Sequence, residues 1–160
     1  VTMSLLEKCA VSDTSLWFKK AVPNPVDKNR STQLGVHLEE VAEMLKALVA
    51  TNHTTQILLD NAVDSLEALA DTIKTLDNQV EIQDPLEFLD GLADQIVTAV
   101  GTAHMNGMDI VGALHEVNGS NFSKFDDEGN PIFNDNKKIM KGPNYYKPDL
   151  VKFLPKPVQG

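Results

Sequence analysis

The chain has 160 residues, 42% hydrophobic and 23% charged, which is long enough for one well-filled core and too short for two ordinary domains. Its 14 Lys/Arg against 23 Asp/Glu give a formal net charge of -9, which argues against nucleic acid or an anionic membrane as partner, because those surfaces select basic patches. A lone Cys9 excludes an internal disulfide, and no apolar run approaches the roughly 20 residues of a membrane span or resembles a signal peptide, so a soluble, cytoplasmic protein is expected.

Along the chain the pattern is helical first. Ser12 or Asp13 can cap a short helix carrying Leu16, Trp17 and Phe18, which the Pro23-Asn24-Pro25 turn stops. A second helix is expected from about Asp27 to Ala50, and Thr54 or Thr55 can cap a third running to about Leu76. Asp84-Pro85 opens a fourth, with Asp as cap and Pro at the first helical position, and Gly107 stops it before a fifth from about Asp109 to Ser123. Residues 125–150 lack helical periodicity and carry Gly129, Pro131, Gly142, Pro143 and Pro148, with a turn signal at 127–130. They read as a short hairpin plus arm, and residues after Phe153 as a mobile tail. The expected fold is all-α: an antiparallel bundle of four to five helices in one domain spanning 1–160, with its helical core at about 12–123 and a C-terminal arm at about 124–160.

Charge is unevenly spread. Residues 119–160 hold 7 Lys/Arg against 5 Asp/Glu, and residues 1–118 hold 7 against 18. Two groups of acids lie inside otherwise apolar helices: Glu39-Glu40-x-x-Glu43 and Glu87-x-x-Asp90-x-x-x-Asp94. At about 100° per residue, Glu87, Asp90 and Asp94 share one stripe while Leu89, Leu92, Ala93, Ile96 and Val100 take the opposite half. Thr98 and Gly101 continue the stripe with small side chains. Glu39, Glu40 and Glu43 span a wedge of about 100°, and the Glu39/Glu43 pair at i,i+4 disfavours an isolated helix unless a cation such as Mg²⁺ neutralises it.

These residues match a known pattern. The chain resembles the all-α nucleoside triphosphate pyrophosphohydrolase superfamily, the MazG-like and phosphoribosyl-ATP pyrophosphohydrolase-like proteins, and most closely phage-encoded versions. In that superfamily EExxE and ExxD motifs bind Mg²⁺, and here they look like Glu39-Glu40-Val41-Ala42-Glu43 and Glu87-Phe88-Leu89-Asp90. Asp94 also stands at a spacing before Gly107 that suits the ExxD aspartate, in which case Gly91 replaces the glutamate. Glu116-Val117-Asn118-x-x-Asn121-x-Ser123-Lys124 and Lys141-Gly142-Pro143-Asn144-Tyr145-Tyr146 are similar to the family's nucleotide-contacting end.

The resemblance implies hydrolysis of a (deoxy)nucleoside triphosphate to the monophosphate and pyrophosphate, acting on the nucleotide pool for DNA replication, with Mg²⁺ (or Mn²⁺) as cofactor. Carboxylates suit that task because Mg²⁺ takes oxygen ligands and keeps waters and substrate oxygens. The expected metal ligands are Glu40, Glu43, Glu87 and Asp90, with Asp94 alternative or additional. Glu39 is a general base or second ligand, so Glu39 and Glu40 form the catalytic pair. Lys124 and Lys141 are expected to contact phosphates, and Asn118, Asn121 and Tyr145 the sugar or base. A homodimer or homotetramer is also implied, since amphipathic helices of this length leave apolar edges to cover.

The competing reading is a non-catalytic helical adaptor that binds a protein partner through an acidic face. EExxE alone occurs on many solvated helix surfaces, Asn118 can cap a helix end, and the tyrosines can pack on the core. His37, His53, His104 and His115 lack metal spacing, and no Glu-x-x-His occurs, which argues against a di-iron carboxylate bundle.

Overall fold

A computed structural model describes residues 9–157 apart from 77 and 136. The expectation of an all-α chain is met: five α-helices, α1 (Ala10–Ala21), α2 (Asp27–Lys46), α3 (His53–Thr75), α4 (Pro85–Met105) and α5 (Ile110–Phe122), with a 3₁₀ turn at Val151–Phe153 and no strand among the described residues. The chain forms two compact units, Asn24–Gln83 and Val1–Pro23 with Asp84–Gly160.

The first of these is the antiparallel hairpin of α2 and α3. Asn52 caps α3, its Oδ1 accepting from the Thr55 amide at 2.9 Å, so the helix starts before the threonines that local sequence suggested. α2 ends at Lys46 rather than near Ala50, because the connection turns out of the helix and the Ala50 amide is taken by the Gln56 side chain at 2.9 Å. The carbonyls at the end of α3 find donors on α2. Ile73 O accepts from the Ser31 hydroxyl and Lys74 O from Lys28 Nζ at 2.7 Å, which offsets the cost of unpaired terminal carbonyls. Along the seam Gly35, Ala42, Val63, Ala70 and Ile73 are buried. Gly35 is needed there, since a Cβ at that position would lie 2.8 Å from Ala70 O and against the Lys74 stem.

The second unit is built on α1, α5 and the arm. Trp17, Ala21 and Phe125 form its core, flanked by Val22, Phe122 and Ile139. The indole and Phe125 ring stack at 5.8 Å, and Phe122 meets Phe125 edge-on. α1 begins at Ala10, ahead of the Ser12/Asp13 cap signal, because a tertiary bond anchors its first turn: Asn118 Nδ2 donates to Ala10 O at 2.8 Å. α4 starts as read, with Asp84 Oδ1 accepting from the Leu86 and Glu87 amides at 3.1 and 3.0 Å. It closes at Gly107, whose φ of +69° suits glycine, with Met108 N donating to Ala103 O at 3.0 Å.

The arm is stitched back along α5. Gly142 N donates to Lys124 O at 3.0 Å, Ser120 Oγ to Tyr146 O at 2.8 Å, Asp149 N to Glu116 Oε1 at 3.0 Å, and Asp109 N to Phe153 O at 2.9 Å. The expected hairpin is reduced to one antiparallel bridge, Phe133 with Ile139, and its reversal lies at 134–138 instead of 127–130. The Asp126 carboxylate explains the shift: it accepts from the Glu128 and Asn130 amides at 3.0 and 2.8 Å and closes the earlier turn on itself. Just beyond Phe153, Leu154 N donates to Val151 O at 3.2 Å and closes the 3₁₀ turn. Residues 158–160 lie outside the described residues.

Candidate active site

α2 presents its three glutamates across the boundary between seam and solvent. Glu39, nearest the buried edge, is ion-paired with Lys74 of α3, Oε2 to Nζ at 2.8 Å. Glu40 and Glu43 are exposed and make no hydrogen bond or ion pair among the described residues. Lys46, one turn on, pairs with Glu67 of α3. Its ammonium is held above the usual lysine range chiefly by the hydrogen bond it donates to Glu67, with the fields of Glu67, Glu43 and Glu39 adding to it.

α4 carries Glu87, Asp90 and Asp94 on one stripe, all exposed and without hydrogen-bond or ion-pair partners among the described residues. Thr98 does not face them as a donor, because its hydroxyl bonds the Asp94 carbonyl at 2.8 Å. Gly91 and Gly101 leave open space, with no atom within 4 Å of a Cβ built on either.

The donor chemistry suits a hard divalent cation, since every unpaired group on the two stripes is a carboxylate. Among the described residues no three His, Cys, Asp or Glu side chains converge on one point. Mg²⁺ commonly needs only one or two protein carboxylates, the remaining positions going to water and substrate oxygens, so two carboxylates such as Glu40 and Glu43 would suffice in number.

The residues expected to touch substrate divide into two groups. Asn118 is 3% exposed and its amide is used internally, Nδ2 on Ala10 O and Oδ1 accepting from the Thr14 hydroxyl at 2.8 Å. Asn121 is half-buried. Lys124 Nζ lies 5.9 Å from the centre of the Trp17 ring, and Lys141 Nζ lies 4.7 Å from that of Tyr145. The Gly142 amide on Lys124 O brings the two lysine-bearing segments side by side.

Sequence reasoning missed two features. Lys74 is invisible as a partner because its pairing with Glu39 spans 35 residues. A cleft of about 370 Å³ between α1 and α5, lined by Asp13, Leu16, Lys20, His115, Asn118, Gly119 and Phe122, joins residues more than 90 positions apart, and only the i,i+3/i+4 spacing of Asp13, Leu16 and Lys20 hinted at one face.

No protein-family model and no curated protein matches the chain. The fold is similar to the crystal structure of a candidate NTP pyrophosphohydrolase from Exiguobacterium sp. 255-15, at 19% identity and a TM-score of 0.59, covering 87% of this chain and 88% of that one. At that identity the likeness establishes the all-α fold.

Proposed function

We propose that the protein is a MazG-like, Mg²⁺-dependent pyrophosphohydrolase that converts a (deoxy)nucleoside triphosphate to its monophosphate and pyrophosphate. The observation that carries the reading is the set of exposed carboxylates that make no ion pair among the described residues, Glu40 and Glu43 on α2 and Glu87, Asp90 and Asp94 on α4, in a fold shared with an NTP pyrophosphohydrolase candidate. Packing gives no reason for two such stripes, and like charges at i,i+3 and i,i+4 destabilise each helix slightly without a counter-ion. Mg²⁺, bound there, supplies Lewis-acid stabilisation of the charge that shifts onto the phosphate oxygens.

The chain's own groups take the other roles. Glu40 and Glu43, with Glu87, Asp90 and Asp94, are the proposed ligands. Glu39 orients or deprotonates the attacking water, and Lys124 and Lys141 meet phosphate oxygens. As the sequence resemblance implies, the reaction serves the nucleotide pool during DNA replication, in the host cytoplasm if a phage encodes the chain. No helix among the described residues is long and apolar enough to cross a membrane.

The same reading includes a homodimer or homotetramer. α4 leaves Leu86, Leu89 and Val97 between 65% and 79% exposed, an apolar face that association would cover. A monomeric mass by light scattering at micromolar concentration contradicts this part.

The test is a panel of the eight common NTPs and dNTPs with Mg²⁺ and with EDTA, separating monophosphate plus pyrophosphate from diphosphate plus phosphate. Pyrophosphate release from one or a few nucleotides, abolished by EDTA, is expected. Silence across the panel together with no binding of divalent cation favours the adaptor reading, in which the exposed acids of α2 and α4 meet a protein partner.

A further inference from the structure

The three glutamates of α2 are not equivalent, and the lysines of the hairpin make the difference. At about 100° per residue, the buried Gly35 and Ala42 mark the edge of α2 against α3. Glu39 comes next around the helix, then Glu43, and Glu40 lies outermost. Lys74 reaches across that edge to Glu39 at 2.8 Å, with its side chain 26% exposed. Its stem passes over Gly35, where a Cβ would meet Lys74 Cγ, and its carbonyl is fixed by Lys28 Nζ at 2.7 Å. Glycine is unfavourable inside a helix, and the passage of this stem gives position 35 its reason. Lys46 stands on the same edge, paired with Glu67. These two ammonium groups therefore serve the inner side of the hairpin, and among the described residues no ammonium bonds Glu40 or Glu43.

We propose that Lys74 is the built-in counter-ion of Glu39, keeping it out of the cation's ligand set and confining a divalent cation on α2 to Glu40 and Glu43. The proposal rests on the reading that the α2 acids bind such a cation. It makes Lys74 a positioning residue: the ammonium holds Glu39 Oε2, leaving Oε1 for the water, and lowers the negative potential that a cation meets there.

The experiment is a calorimetric titration of Mn²⁺ into the nucleotide-free protein, so that no turnover enters the readout. Lys74→Met keeps much of the stem and removes the charge, releasing Glu39 to the cation, and Mn²⁺ binding is expected to tighten on the order of tenfold. Lys74→Arg is expected to keep the wild-type affinity. The double variant Lys74→Met/Glu39→Gln removes both charges at once and is expected to return to within about twofold of wild type, since the pair is coupled. If the single variant loses its helical circular dichroism, this neutral pair decides alone. Unchanged affinity in a folded Lys74→Met, or a large loss in the double variant, overturns the counter-ion assignment. A wild-type protein that binds no Mn²⁺ overturns instead the cation reading on which it rests.

Discussion

The indole of Trp17 and the ring of Phe125 lie stacked, their centroids 5.8 Å apart and their planes within 5° of parallel. This contact joins α1 to the first residues of the arm, and both rings are at least nine-tenths buried. The indole Nε1 is buried without a hydrogen-bond partner among the described residues, a cost the site carries for the size of the ring. Trp17→Ala is expected to lose about 3–5 kcal/mol by urea denaturation. Trp17→Phe, which removes the orphaned donor while keeping an aromatic surface, should lose less than about 1.5 kcal/mol. Equal losses would mean that the stack is not what holds this corner together.

Asn118 bridges α5 to α1 with both ends of its amide, on Ala10 O and the Thr14 hydroxyl. Asn118→Ala leaves a buried carbonyl of α1 without that donor, and a loss of about 1–3 kcal/mol in unfolding free energy follows. Unfolding curves that coincide with wild type would return Asn118 to the substrate-contacting role that the sequence motif suggested.

At Gly35 two effects oppose each other. Alanine improves helix propensity by about 1 kcal/mol, but its Cβ would sit 2.8 Å from Ala70 O and displace the Lys74 stem. The clash is with backbone and should win, so Gly35→Ala is expected to destabilise the hairpin by about 1–3 kcal/mol. A rise in melting temperature would show that α2 and α3 separate without penalty.

Local signals located the starts of α4 and α5 well, where the sequence carries its own cap, but not that of α3, which Asn52 caps ahead of Thr54 and Thr55. Asp84-Pro85 and Asp109 start α4 and α5 as their side chains dictate. Boundaries set by distant partners were not legible: α1 starts early because Asn118 holds Ala10, and α2 stops early because Gln56 takes the Ala50 amide. The hairpin turn was misplaced because the Asp126 carboxylate closes the 127–130 segment locally and leaves pairing to the residues around 134–138. The acidic stripes were legible from spacing alone. The division of labour within them was not, because Lys74 reaches Glu39 only through the α2–α3 seam, and Asn118 reads as polar and available until its burial is known.

Glu40 decides the central claim most directly. It is exposed and makes no ion pair among the described residues, so Glu40→Gln should leave unfolding free energy within about 0.5 kcal/mol of wild type. Pyrophosphate release from the preferred nucleotide with Mg²⁺ should nevertheless fall by at least about a hundredfold, equivalent to roughly 2.7 kcal/mol of transition-state stabilisation. A folded Glu40→Gln protein that releases pyrophosphate at the wild-type rate would contradict the account.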